Sequence, residues 1–341
     1  MVFPCFLFLL PMTTAMIRSV GIDVSKRTLD VCLLSQEHAV LGAFRVENTP
    51  AGLRELLRHM EAYLLHSDAR CVLEATSSYH VLAALFLREA GLTVCVFNPI
   101  LSHKYGQGSV RKCKTDALDA KRIAEIGIFE PLPEFRLTKS LFFLRKKISL
   151  LQTLTKQAQV MGAAVRQFTE DGATLQVIPG DGVGAAQETL RHLQQTITSL
   201  EREIRADARE FVGYREVAAI RGVSEKAAGI ILSHLTDKEF ASKHALVAFA
   251  GLDVSVRQSG TSIHGRGRIS KRGNTMLRQT LVQAAWGLMM HNESFQRLAA
   301  YHRQQGRHYF EILVILARKL LHIIYGMLKH GTSFDPTRIN V

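Results

Sequence analysis

Four carboxylates and one basic, glycine-rich stretch carry the chemistry of this 341-residue chain. Asp23 stands in Gly21-Ile22-Asp23-Val24-Ser25-Lys26, near the end of an apolar, β-rich run. A carboxylate in an apolar strand is costly unless it is paired or bound to a metal. The plainer reading is an Asp that caps the following turn by bonding its own backbone. Glu74 closes a second short run, Arg70-Cys71-Val72-Leu73-Glu74. Asp116 and Asp119 lie three apart where the chain becomes helical, so they share a helix face with Cβ atoms about 5–6 Å apart. Carboxylates that close repel by roughly 4 kcal/mol at an intermediate dielectric, and a cation between them turns repulsion into binding. The alternative is an acidic first turn that the helix dipole favours.

The second stretch, Ser255 to Arg278, reads SVRQSGTSIHGRGRISKRGNTMLR. Gly260, Gly265, Gly267 and Gly273 allow the backbone to approach a ligand closely. Arg257, Arg266, Arg268, Lys271, Arg272 and Arg278 are suited to phosphates, with a solvated basic loop as the alternative. The formal net charge is +13, and from Tyr214 to Val341 there are 18 Lys/Arg against 8 Asp/Glu. That imbalance points to a polyanionic partner.

The elements that must position these groups are legible from periodicity. Residues 17–24, 30–36 and 39–46 read as three strands of a meander, and 50–66 as an amphipathic helix. Strand 70–74, helix 79–90 and strand 93–97 follow, and a helix begins at Thr115. Antiparallel strands followed by alternating helix and strand imply an α/β layer fold with a mixed sheet. Residues 139–168 carry Leu141, Leu144, Ile148, Leu151, Ala158 and Val165 in a heptad-like series. A glycine-rich break at 171–186 precedes a second series, Leu190, Leu193, Ile197, Leu200, Ile204 and Phe211. The pair reads as an antiparallel helical hairpin or coiled coil, for dimerisation or as a spacer. Gly180, Gly182 and Gly184 are not a nucleotide loop, since no strand precedes them and no Lys-Ser/Thr follows. Residues 216–235 read as helix, Gly222-Val223-Ser224 turn, helix, either a helix-hairpin-helix offering amides to a phosphate or ordinary packing. Helices at 245–252, 274–290 and 309–329 complete the chain, the last two packing beneath the basic loop.

The 47% hydrophobic content is enough for a buried core, and the length suggests two or more domains. Five cysteines with no C-x-x-C spacing suggest buried free thiols in a reducing compartment and no zinc site. The apolar Met1 to Leu10 lacks a basic start and is too short to span a bilayer; Met12 or Met16 is the expected start of translation.

Taken together, Asp23 on a first strand, Glu74 on a fourth, and Asp116 with Asp119 on a later helix resemble the four-acid (DEDD) arrangement of RuvC-like nucleases. The words G-I-D-V-S-K, L-E-A-T-S-S-Y-H, N-P, K-T-D-A-L-D-A and S-G-T-S-I-H-G-R-G-R-I-S-K-R-G-N-x-x-L-R resemble the IS-one-ten family of insertion-sequence transposases, which includes the Piv-type invertases. The resemblance covers about residues 16–330. It implies an α/β RNase H-like (RuvC-like) N-terminal domain with a mixed sheet, an α-helical coiled-coil middle and a mainly α-helical C-terminal domain. The expected boundaries are 1–15 as a disordered or non-native leader, 16–136, 137–213, 214–333 and a tail at 334–341. It further implies that Asp23, Glu74, Asp116 and Asp119 hold Mg²⁺, with Mn²⁺ as a substitute, and that Ser259 attacks DNA, with Ser255 and Ser262 as neighbouring alternatives. The implied partners are DNA (transposon ends and target), a guide RNA made from the element, and further copies of the chain in a dimer or tetramer. No membrane is involved, and the implied place is the bacterial cytoplasm, at the nucleoid. One word departs from the family: Arg221-Gly222-Val223-Ser224 stands where P-G-I-G is expected. The nearest rival is a metal-dependent, structure-specific DNA nuclease with water as nucleophile. A non-catalytic nucleic-acid binder and a kinase-like ATPase that also opens on a G-I-D strand are more distant.

Overall fold

The computed structural model describes residues 16–64, 69–75, 78–106, 116–177, 180–255 and 268–339. They divide into two compact units, the break falling between Leu137 and Thr138.

In the first unit β1 (Ile17–Val24), β2 (Thr28–Ser35) and β3 (Val40–Glu47) form the meander, followed by α1 (Pro50–Leu64), β4 (Arg70–Glu74), α2 (Tyr79–Glu89) and β5 (Thr93–Phe97). The strand order is β3-β2-β1-β4-β5. β2 pairs antiparallel with β1 and β3, whereas β1–β4 and β4–β5 are parallel, so the sheet is mixed. Val20, Ile22, Leu29, Val31 and Leu33 bury one face of the sheet against Leu53, Leu56 and Met60 of α1 and Ala83, Ala84 and Leu87 of α2. The turn after β1 is tied by Ser25, whose Oγ accepts from the Thr28 amide at 2.9 Å.

Two helices follow, α3 (Pro99–Gly106) and α4 (Asp116–Phe129). The first is an addition to the expected elements: Asn98 Oδ1 accepts from the Ile100 amide at 3.0 Å and starts a helix where Asn-Pro alone suggests a stop. α4 covers the other sheet face. A Cβ on Gly21 would overlap the Ala120 carbonyl and the Ala124 amide of α4, and one on Gly127 would overlap Val72 and the Ser19 hydroxyl. The helix backbone therefore lies directly on β1, which only small residues at these positions allow.

The second unit opens with α5 (Lys139–Leu175) and α6 (Asp181–Ala208). Thr138 caps α5, its Oγ1 accepting from the Leu141 amide at 3.2 Å. The helices are antiparallel: Lys147 pairs with Asp207 at 2.8 Å and Glu203 at 3.1 Å, while Gly162 lies against Leu190. Leu144, Ile148 and Leu151 pack on Leu200 and Ile204, and Ile230 roots the pair in the rest of the unit. The heptad reading thus marks the packed seam. The glycines around 172–184 interrupt less than expected, since the loop between helices spans only 176–180.

The remainder is α7 (Tyr214–Ala218), α8 (Glu225–Leu235), α9 (Lys243–Ala250), β6 (Val254–Ser255), β7 (Arg268–Ile269), α10 (Thr275–His291), α11 (Glu293–Gln304) and α12 (Tyr309–His330). A single apolar core built on Ile231, Leu281, Phe295, Leu316 and Leu320 holds these helices. The turn before α8 packs on α10: Gly222, at φ +102°, meets the Gly287 backbone, and Asn292 Nδ2 donates to the Arg221 carbonyl at 3.2 Å. The turn between α7 and α8 is thus packed on α10. α11 is an addition to the helices expected from periodicity; Asn292 caps it, accepting from the Phe295 amide at 3.4 Å. Among the described residues no helix is long and apolar enough to cross a membrane.

Gly21→Val should lift α4 from the sheet. Overpacking of a close-packed contact costs about 3 kcal/mol, so a loss of that order is expected in urea unfolding of the full chain. A stability equal to the parent would show that the helix does not rest on Gly21.

Candidate active site

The direction of α4 decides which groups meet. Gly127 lies over Ser19, and Ala120 and Ala124 lie over Gly21, so the helix runs antiparallel to β1. Asp23 is two residues beyond Gly21 and points to the same face, about 7 Å further along. Asp116 opens α4, four residues before Ala120, about 6 Å back along the axis. The end of β1 and the start of α4 therefore arrive at one level, on one face of the sheet.

β4 adds the third carboxylate. It is parallel to β1 with Ile22 opposite Leu73, so Glu74 is next to Asp23 in register. Val72 faces α4, and Glu74, two residues on, faces the same way. Asp23, Glu74 and the α4 turn carrying Asp116 and Asp119 thus share one sheet edge and face. Glu74 is fixed by Ser102 of α3, whose Oγ donates to Glu74 Oε2 at 2.6 Å. Asp119 accepts from Arg122 Nη1 at 3.1 Å along its own helix. Among the described residues no three His, Cys, Asp or Glu side chains close into a metal-binding group. The donor chemistry at this edge is all carboxylate. Cys71 packs in the core on the α1/α2 side of the sheet, and burial pushes its thiol up to about 12 and raises that of Cys95.

Ser259, Arg257 and Arg266, with Ser262, lie outside the described residues, but the base of their stretch is well defined. β6 and β7 pair antiparallel, Val254 with Ile269 and Ser255 with Arg268. Beneath them two glycines cross: Gly251, at φ +67°, and Gly273, where a Cβ would overlap the Phe249 carbonyl. The Lys271 amide donates to the Gly251 carbonyl at 3.2 Å and the Asn274 amide to the Phe249 carbonyl at 2.8 Å. Ser270 bonds the Asp253 carboxylate. Arg278 Nη1 donates to the Ala250 carbonyl at 3.2 Å and the Gly273 carbonyl at 3.4 Å, so this cation braces the base. Arg268, Lys271 and Arg272 are exposed on it.

Comparison with known proteins bears on both regions. A family model for the IS110-type DEDD transposase matches residues 20–170. A second model, described as "Transposase IS116/IS110/IS902 family", matches residues 214–300. The chain belongs to this family of transposases. It is similar to the pilin gene-inverting proteins of Moraxella lacunata and Moraxella bovis, each 27% identical over 93% of this chain and 97% of the relative. A probable family 20 transposase of Pseudomonas aeruginosa is 25% identical over 93% of this chain and 98% of its own length. The enzyme is accordingly a DNA transposase or recombinase, and the two matched regions are those that carry the acids and the basic stretch.

Four residues at these places are not singled out by the sequence reading. Ser102 sits on α3, a helix hidden behind Asn-Pro. Asp30 lies beside Asp23 on β2 and Arg45 beyond it on β3, and Arg45 Nε donates to Asp30 Oδ1 at 2.8 Å. A carboxylate at an inward position of a strand was the available signal for Asp30. His234 contacts Asn274 through Nδ1 at 3.2 Å, at the capping residue that starts α10.

Two outcomes follow for the transposase. Ser102→Ala frees one bond to Glu74, so strand cleavage should fall several-fold with little change in unfolding midpoint; unchanged cleavage would show that Glu74 needs no such support. His234 is pushed down to about 4 by burial and then by Arg145. A histidine with a depressed folded value gives stability that is complete above its unfolded value near 6.5 and is lost as pH falls toward 4. Burial also pushes His322 down to about 4, so both contribute to the acid limb. His234→Gln should flatten that limb in a pH series of thermal melts, and an identical limb would place His234 outside it.

Proposed function

We propose that the chain cuts and rejoins DNA through a covalent serine intermediate at a four-carboxylate metal site. The supporting observation is the gathering of Asp23, Glu74 and the start of α4 at one edge of the sheet. The strand order β3-β2-β1-β4-β5, antiparallel then parallel, supports an RNase H-like first domain.

Asp23, Glu74, Asp116 and Asp119 are the proposed holders of Mg²⁺, or Mn²⁺ in its place. Hard oxygen ligands are what these ions take. A bound ion would lower the pKa of a hydroxyl and offset the charge that develops on the phosphate. Ser259 supplies the nucleophile. Its Oγ bonds to phosphorus, the bond from phosphorus to one sugar oxygen breaks, and in balance the serine proton passes to that oxygen. The phosphoserine ester keeps the bond energy, so a sugar hydroxyl from a new partner strand can displace serine without a nucleotide. Arg257, Arg266, Arg268, Lys271 and Arg272 neutralise backbone phosphates, contacts that position DNA and carry no sequence information. Arg278 acts beneath them by bracing the loop base. Sequence choice then falls to a guide RNA that pairs with target DNA.

Holding two DNA ends needs more than one protomer. Val160, Phe168 and Leu175 are exposed on the outer half of α5, which suits the α5–α6 pair, read as a coiled coil, to meet a second copy. The domains proposed from sequence, 16–136, 137–213 and 214–333, assign one role to each: metal site, spacer or dimer contact, and serine-bearing loop. A bacterial cytoplasmic setting at the nucleoid goes with these partners.

Ser259→Ala should abolish protein–DNA adduct on denaturing gels, with Asp119→Asn abolishing cleavage in Mg²⁺. Cleavage that persists without adduct in Ser259→Ala would instead favour a nuclease using water. Adduct at parental levels in Ser259→Ala would move the nucleophile to Ser255 or Ser262.

A further inference from the structure

A row of three charges crosses the sheet beside the acids. Asp23 of β1 is opposite Asp30 of β2, and Asp30 is opposite Arg45 of β3. Directly opposed residues share a face, with Cβ atoms about 4.5–5.5 Å apart. That face is the one covered by α4, because Cys32, two residues beyond Asp30, packs on Ala120 and Ala124. Asp30 is 8% exposed, so solvent screens it weakly. Its carboxylate is gripped from the far side by Arg45 Nε at 2.8 Å.

Like charges directly opposite each other on a sheet are destabilising. Arg45 offsets the burial of Asp30 and draws its carboxylate toward β3. What remains is a fixed negative group on the β2 side of Asp23. The Asp23 carboxylate has neighbours on two sides, Asp30 on β2 and Glu74 on β4. A negative group on the first side favours the second. We propose that Asp30, anchored by Arg45, is a positioning residue that turns Asp23 toward Glu74 and the start of α4 and so raises the affinity of those acids for a divalent cation. The proposal rests on the metal-site reading above. Partners outside the ligand set that orient a ligand change metal affinity by 10–100-fold when lost.

The test is calorimetric titration of the full chain with Mn²⁺ alone, alongside thermal melts in metal-free buffer. The parent binds Mn²⁺ and Asp23→Asn does not. Asp30→Asn keeps the shape and removes the charge; it should weaken Mn²⁺ about tenfold, and Asp30→Glu should stay within about threefold of the parent. If Asp30→Asn alone does not fold, Asp30→Asn with Arg45→Gln replaces the ion pair by two neutral amides, and the same tenfold loss is expected. Parental affinity in a folded Asp30→Asn chain, with Asp23→Asn still defective, would overturn the inference and leave the metal site standing. An equal loss in Asp30→Glu would overturn it too, since charge would then not be the cause. No Mn²⁺ uptake by the parent would overturn the metal site and the inference together.

Discussion

The contact between α4 and β1 governs the rest of the first unit. Gly21 has no side chain, and Ala120 and Ala124 have a single carbon each, so helix and strand backbones touch. A helix held that close cannot slide or tilt without opening a void, which a dense interior does not tolerate. Its position then fixes two things at once. It carries the positive end of the α4 dipole to the sheet edge where Asp23 and Glu74 emerge, a favourable place for carboxylates. It also sets the height at which Asp116 and Asp119 arrive. Asp23, Glu74 and the helix start are far apart in sequence, and this packing contact brings the end of β1 and the first turn of α4 to the same sheet edge.

The second unit answers with rigidity of another kind. The described residues on either side of the basic stretch are joined by short connections. Gly251 and Gly273 cross, Arg278 binds the carbonyls beside them, and Asn274 caps α10 while meeting His234. The Arg145 guanidinium is fixed in turn by Asp237 and the Ser233 carbonyl, next to His234. The pairing of β6 with β7 holds Ser255 and Arg268 at fixed separation. Arg268, Lys271 and Arg272 are exposed, whereas Arg278 and Arg145 are bonded to the backbone and to Asp237, a division of labour that charge counting alone does not reveal.

Much of this was legible in the sequence, for physical reasons that differ from element to element. β1 and β2 are legible as β-rich apolar runs because both of their faces are buried, whereas the three-and-four spacing of α1 marks a helix with one buried face. The seam of α5 and α6 was legible from leucine and isoleucine positions for the same reason. α3 was hidden because Asn-Pro ends a strand and starts a helix with the same two residues. The pairing of Asp30 with Arg45 was hidden because strand register, unlike periodicity, is a relation between distant segments. Arg278 read as a phosphate ligand since its charge is visible in sequence and its hydrogen-bond partners are not. Ser259 came from family resemblance alone, since a serine in a glycine-rich loop has no distinguishing pattern.

The proposed reaction requires the acids and the serine-bearing stretch, from one copy of the chain or two, to act at one cation. Replacing Mg²⁺ by Fe²⁺ in the DNA-bound protein and generating hydroxyl radicals cleaves the backbone only near the bound ion. Cuts are expected beside Asp23, beside Glu74, at 116–119 and within 256–267, all suppressed by excess Mg²⁺. Cuts at the acids with none in 256–267, or cuts that Mg²⁺ leaves untouched, would contradict it.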